Sequence, residues 1–385
     1  MLEPAIVVVA FNRPACLKRS LSSLSNSFFD KNDVELVISI DYEDSDENAE
    51  VHELAEKFNW KFGPKRMITH DRNLGLRNHI LQCGDLTDQY GSIVLLEDDV
   101  VVAPAFYNFA KQAVNYYLED SLIGGISLYS YEYEELGLHQ FYPKSTGKDT
   151  YFIQWAGSWG QVWTKTQWKG FKKWYSEDIA LSAINIPDKV KHWKNSWKKY
   201  YIAYLVVKDK YFVYPYISYT TLMDDDQGTN IKSDAQVNNV RISSQKSKGE
   251  FNFSKSNNEN IKYDSFFQPI DSTLFVHAIN RTVEVSFDLN GTKELKNLNS
   301  PYVFTSKRSS ASIEQYSNKL IPYELNLLKD ERGEVFTFSR KEDIEVKRSI
   351  VSQGRLLNKS RKKKNFRELV TLMMYKILKY TGLNR

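Results

Sequence analysis

The chain of 385 residues is 42% hydrophobic, 26% charged and 14% aromatic, which excludes a disordered or fibrous protein and leaves room for two domains, or one large domain with an extension. Two cysteines, Cys16 and Cys83, exclude a disulfide framework and fit a reducing cytosol, and no stretch reaches the roughly 18 apolar residues of a membrane-crossing helix. The net charge of +4 hides an asymmetry: from Arg340 onward 14 Lys and Arg stand against 4 Asp and Glu, so this tail carries +10 and the rest of the chain −6, a distribution that suits an anionic partner surface.

Ala5 to Phe11 is an apolar run that reads as a buried strand and not as a signal peptide. Asn12-Arg13-Pro14 turns it, and Leu17, Leu21 and Leu24 at helical spacing predict the next helix. Val34 to Ile40 is a second strand, ending at Asp41. A helix is predicted around Ala49 to Phe58, a short strand over Arg66 to Thr69, and a helix from about Leu76 to Cys83. The Ile93 strand then runs into Glu97-Asp98-Asp99. This alternation predicts a doubly wound, mostly parallel sheet with right-handed crossovers. Asp41, Arg72 and the acidic triplet would share the edge where the strands end.

A helix follows Pro104 to about Tyr117, then a strand over Ile123 to Tyr129. An aromatic stretch spans Tyr151 to Trp163, a further strand Tyr211 to Ser218, and a second acid cluster Asp224 to Asp226. Residues 232 to 262 are rich in Ser, Asn, Lys and Gln, and read as a mobile loop or linker. Short strand-like runs recur from Ser265 to Phe338. The tail holds Arg361-Lys362-Lys363-Lys364 and then a helical pattern with Phe366, Leu369, Val370, Met373, Ile377 and Tyr380 on one face. The expected boundaries are 1–235 for the first domain, 236–264 for the linker, 265–345 for an extension and 346–385 for the basic tail.

The triplet carries the chemistry. Four apolar residues lead into three carboxylates, and a bare carboxylate in an apolar core costs several kcal/mol or more. Two readings stand. One is a site for Mg²⁺ or Mn²⁺, hard cations that take oxygen ligands and bridge to substrate phosphates. The other is an acidic turn paired with a neighbouring Lys or Arg. Trp155, Gly157 and Trp159 combine aromatic rings with a small residue, as a sugar-stacking surface would, and an aromatic core fits the same residues. The tail reads as an anionic-membrane anchor, or as a helix docked on the protein's own body. No motif supports nucleic-acid binding.

Val7 to Pro14, Ile40-Asp41, Arg72 to Leu76, Leu96 to Asp99 and Pro104-Ala105-Phe106 stand in an order and spacing that resemble the GT-A nucleotide-sugar glycosyltransferases. The likeness is to bacterial enzymes of surface-polysaccharide clusters and, more distantly, to the animal N-acetylglucosaminyltransferase that starts complex N-glycans. It covers roughly residues 4 to 230. The resemblance implies a GT-A fold, a nucleoside diphosphate-sugar donor, a glycan or lipid-linked acceptor and Mn²⁺ or Mg²⁺. It implies Asp99 as metal ligand, Glu97 and Asp98 as contacts to donor ribose and sugar, and Asp41 as the reader of the base. Phe11, Arg13, Arg72 and Asn78 would lie against the nucleotide, and Trp155, Gly157, Trp159 and Trp197 would form the acceptor and sugar pocket.

One position departs from the pattern. Asn195-Ser196-Trp197 stands where the animal enzyme has Asp-Asp-Trp with its catalytic base, and Asn is no base near neutral pH. Asp188, Asp178, Glu177, a member of Asp224 to Asp226 (Asp225 among them) and His192 are the other candidates, and a rearranged acceptor position is the alternative to all of them. The expected protein is a cytoplasmic, inverting glycosyltransferase, peripheral on the inner face of the plasma membrane. Two rivals stay open: a nucleotidyltransferase, for which Phe11 to Pro14 lacks the glycine-rich phosphate loop, and a catalytically degenerate carbohydrate- or membrane-binding protein.

Overall fold

The computed structural model describes residues 1–385 except 32, 224–237, 248, 349, 361–363 and 382–385. The chain divides into two units. The first comprises Met1–Tyr131 and Ser145–Asn258, the second Glu132–Lys144 and Glu259–Arg385. The expected domain of 1–235 is thus interrupted by a short segment that joins the second unit. Among the described residues, no helix is long and apolar enough to cross a membrane.

The first unit is built on a twisted α/β sheet. Strands β1 (Ala5–Ala10), β2 (Leu36–Ile40), β3 (Lys65–Thr69) and β4 (Ser92–Glu97) lie in the order β3-β2-β1-β4, all parallel. Helices Pro14–Ser25, Asp46–Lys57 and Gly75–Asp85 connect them. β1, β2 and β4 read as continuous apolar runs because both of their faces are covered. Register fixes the common edge: Val9 pairs with Glu97, Ala10 with Ile40, and Ile40 with Thr69. The residues after these positions therefore emerge together at the carboxyl ends of the strands.

After the acids a short strand β5 (Val100–Val102) leaves the sheet and pairs antiparallel with Thr220–Leu222. The sheet continues through β6 (Ile123–Ser127), β7 (Thr150–Ile153), β8 (Gln161–Thr164) and β9 (Tyr211–Pro215). β8 lies between β4 and β6, antiparallel to both, while β9 is parallel to β6 and antiparallel to β7. β7 and β8 fall at the two ends of the aromatic stretch, which the sequence does not mark as strands. Each has four residues, all buried, so no polar alternation betrays them.

Described residues of the expected linker pack on the first unit instead of standing free. Phe251 and Phe253 are buried against Phe109 and Tyr117. The backbone N–H of Phe251 and Ser254 donate to Gln112 and Thr150. Two aromatic side chains among the polar residues supply the apolar area that fastens the segment.

The second unit holds a five-stranded sheet in the order Ser272–Val276, Arg281–Asp288, Tyr302–Thr305, Phe336–Arg340, Glu314–Tyr316. Its core gathers Val285, Phe287, Phe304, Tyr316, Leu327, Phe336 and Phe338. Helices Ile350–Lys359 and Phe366–Thr381 follow.

Candidate functional site

The site is built where β1 and β4 end. Arg13 directly precedes the helix that opens with Pro14, and its guanidinium reaches across to the acids after β4. It forms an ion pair with Asp98 and a second with Asp99 Oδ2 at 2.9 Å. The acidic turn is therefore paired with a neighbouring cation, one of the two readings the sequence leaves open. The pairing is incomplete. Asp98 Oδ2 and Asp99 Oδ1 are buried and accept no hydrogen bond among the described residues.

Charge explains why one guanidinium does not saturate the site. Three carboxylates crowd one strand end. Burial pushes the Glu97 carboxyl up to about 8, with Asp99 adding to it and Arg13 partly offsetting it. Burial likewise raises Asp98, to about 7, against the opposing pull of Arg13. The guanidinium itself is held above its ordinary value by Asp98 and Asp99, although burial works the other way. Carboxylates that resist ionising together for want of a second cation, with two buried oxygens left unsatisfied, fit a divalent cation. Among the described residues no group of three or more His, Cys, Asp or Glu side chains is arranged to hold one. A cation here would have one or two carboxylate ligands and take the others from phosphates and water, as Mg²⁺ commonly does.

Asp41 follows β2 on the same edge and is buried. Its Oδ1 accepts the N–H of Tyr42 and Leu74, both at 2.9 Å, and its Oδ2 accepts that of Gly75 at 3.0 Å. It thus ties the end of β2 to the start of the helix Gly75–Asp85, where a negative charge also meets the favourable end of the helix dipole. Gly75 sits at φ +71, a backbone that glycine adopts without strain. Asn48 completes the edge by donating to the carbonyls of Phe11 and Asp41 at 2.6 and 2.9 Å. Arg72 and Asn78 are exposed, and Asn78 donates to the Leu74 carbonyl. Asp41→Asn is expected to lower stability by about 1–2 kcal/mol, because an amide cannot accept on both sides and turns its own N–H toward one of these part-buried N–H groups. Urea melts of the two proteins would measure it.

The aromatic stretch enters the same region through β8, whose Gln161 pairs with Leu95 of β4. Trp155 and Trp197, both expected in the acceptor and sugar pocket, are buried. Trp155 meets Trp193 edge-on, and Trp197 meets Trp163 and Tyr201. Their rings are committed to packing, the other use of an aromatic cluster. Gly157 is also closed, since a Cβ there would stand 2.9 Å from Ser127 Oγ. Trp159 is half-buried.

Sequence reasoning passes over Lys198. Its ammonium is buried among Trp155, Trp159 and Trp193, 5.3 to 5.8 Å from their ring centres, with the Ser158 hydroxyl at 3.3 Å. It also pulls on the Glu97 carboxyl. Lys198 belongs to a run with Lys194 and Lys199 that looks like a solvated basic face. Only its place one residue after a buried Trp hints otherwise.

The described base candidates lie at the surface. Asp188 is exposed and pairs with Lys191 at 3.3 Å. Asp178 is exposed, in a left-handed backbone at φ 48. Glu177 and His192 are exposed too, and His192 Nδ1 lies 2.7 Å from the Asp188 carbonyl. Asp225 and its neighbours lie outside the described residues.

A mostly parallel sheet with an acidic strand end, faced by the loops after β1 and β2, is the GT-A-like arrangement that the sequence leads one to expect. Residues 5–180 match the family described as Glycosyl transferase family 2. No curated protein matches the chain. Among solved structures, TarS of S. aureus is similar at 13% identity over 58% of this chain and 37% of that one, with a TM-score of 0.36. The mannosyltransferase PcManGT from Pyrobaculum calidifontis, solved with GDP-Man and Mn²⁺, is similar at 11% identity over 50% and 51%, with a TM-score of 0.31. The chain thus spans about a third of the length of TarS and half that of the mannosyltransferase.

Proposed function

We propose that the protein is a metal-dependent, inverting glycosyltransferase that takes a sugar from a nucleoside diphosphate donor, a UDP-sugar first among them. Its acceptor is a glycan, free or lipid-linked, in surface-polysaccharide or glycoconjugate synthesis. The single observation that carries the reading is the acid pair after β4, with buried Asp98 Oδ2 and Asp99 Oδ1 left unsatisfied beside Arg13. A bound Mn²⁺ or Mg²⁺ offsets charge on the diphosphate and so makes it a better leaving group. Asp99 would hold it. Glu97 and Asp98 would face the donor ribose and sugar, Asp41 the base, and Phe11, Arg13, Arg72 and Asn78 the rest of the nucleotide. Asp178, Asp188 and Asp225 are the proposed sources of the base that deprotonates the acceptor. The inner face of the plasma membrane is the proposed site of action, supported by the +10 charge of residues 340–385.

Thermal shift with UDP, GDP, CMP and their sugars, with and without Mn²⁺, tests the donor site. One nucleotide is expected to raise the melting temperature only with Mn²⁺, corresponding to about 2.7 kcal/mol at a hundredfold excess over Kd. No shift with any of them would favour the degenerate carbohydrate-binding protein, whose best support is Asn195.

A further inference from the structure

The helix Phe366–Thr381 has its apolar side turned outward. Phe366, Leu369, Val370, Met373, Met374 and Ile377 recur every three or four residues, and each is between 41% and 83% exposed. The opposite side is the packed one. Tyr375 is buried, and a Cβ added at Gly354 of the helix Ile350–Lys359 would stand 2.2 Å from the Tyr375 Cβ. The two helices therefore meet at backbone-close distance through Tyr375. The start of the outer helix is fixed by a reciprocal cap: Glu368 N–H donates to Asn365 Oδ1, and Asn365 N–H donates to the Glu368 carboxylate, both at 2.9 Å.

At 3.6 residues per turn, Arg367 and Lys376 lie roughly a quarter turn to either side of the apolar stripe, and both are exposed. Glu368 falls on the other side, engaged in the cap. An apolar stripe bordered by cations is the pattern of a helix that lies in a bilayer interface, with its stripe in the acyl boundary and its basic rim among anionic headgroups. Arg361 to Lys364 in the sequence directly before it add to the same charge. A second copy is a poorer occupant, because it would bring one tail of +10 against another.

We infer that the stripe Phe366, Leu369, Val370, Met373 and Ile377 is the membrane-contacting face of this protein and that it binds anionic lipid surfaces. The inference rests on the proposed membrane-side placement and on none of the donor-site chemistry. The test uses the full chain in flotation with vesicles of phosphatidylcholine alone and of phosphatidylcholine with phosphatidylglycerol. Wild type is expected to float with the anionic vesicles and to be released by salt, each basic group near the surface contributing about fivefold to binding. Met373→Glu with Ile377→Glu is expected to lower anionic-vesicle binding at least tenfold. Both side chains are exposed, so an unchanged melting temperature would separate lost binding from lost folding. If wild type floats and the double variant floats equally, this face is not the anchor, although the membrane placement stands. If wild type does not float, both fail. Self-association that the double variant abolishes would then assign the stripe to a second copy.

Discussion

Asp99→Asn is expected to abolish Mn²⁺-dependent nucleotide binding and to lower glycosyl transfer at least about a hundredfold, because a cation on the leaving diphosphate supplies several kcal/mol and each 1.4 kcal/mol or so is tenfold in rate. The variant should fold. Asn keeps the shape of Asp99 and an oxygen to accept from Arg13 Nη1, and it removes a charge that raises both Glu97 and Asp98. Without nucleotide its melting temperature at pH 8 should equal or exceed that of wild type. Thermal shift with UDP and Mn²⁺, beside a transfer assay, reads both effects. A metal-dependent shift of wild-type size in the variant would remove Asp99 from the site.

The parallel half of the sheet was legible because covered strands leave a plain trace: Ala5–Ala10 and Ile93–Leu96 are unbroken apolar runs, and Glu97 to Asp99 end the second of them abruptly. β7 and β8 were not, because four buried residues rich in Phe, Tyr and Trp look the same in a strand, a loop core or a ligand pocket. The same ambiguity hides the fate of Trp155 and Trp197, whose rings serve stacking and packing equally until their neighbours are known. The partner of the acids was beyond reach for another reason. Arg13 and Asp99 are 86 residues apart, and only the register of β1 against β4 brings the turn after one to the turn after the other. The place of Asp41 after β2 can be read from the sequence, while its three backbone donors depend on where the chain returns at Leu74 and Gly75.

Arg13→Met should expose what the guanidinium contributes, with a dependence on pH whose sign follows from the acids it faces. Glu97 and Asp98 are raised to about 8 and about 7, burial being the first cause in each. The folded state therefore holds more protons than the unfolded chain between the ordinary carboxyl range and those values. Stability from these two groups is fully present below the ordinary range and is lost as pH rises through 7 and 8. In wild type Arg13 limits that loss by favouring the charged forms. Its removal leaves buried carboxylates without their cation, a change that costs about 3–5 kcal/mol when one partner of a buried pair is deleted. At pH 5 both carboxyls are mostly protonated in the folded protein, so the share of the penalty that Glu97 and Asp98 carry should vanish, while the share from the Asp99 pair remains. Urea melts of Arg13→Met and wild type at pH 5 and pH 8 give the difference directly. A loss of equal size at both values would mean that Arg13 acts through its pair with Asp99 or through packing of its aliphatic stem, and not by offsetting Glu97 and Asp98.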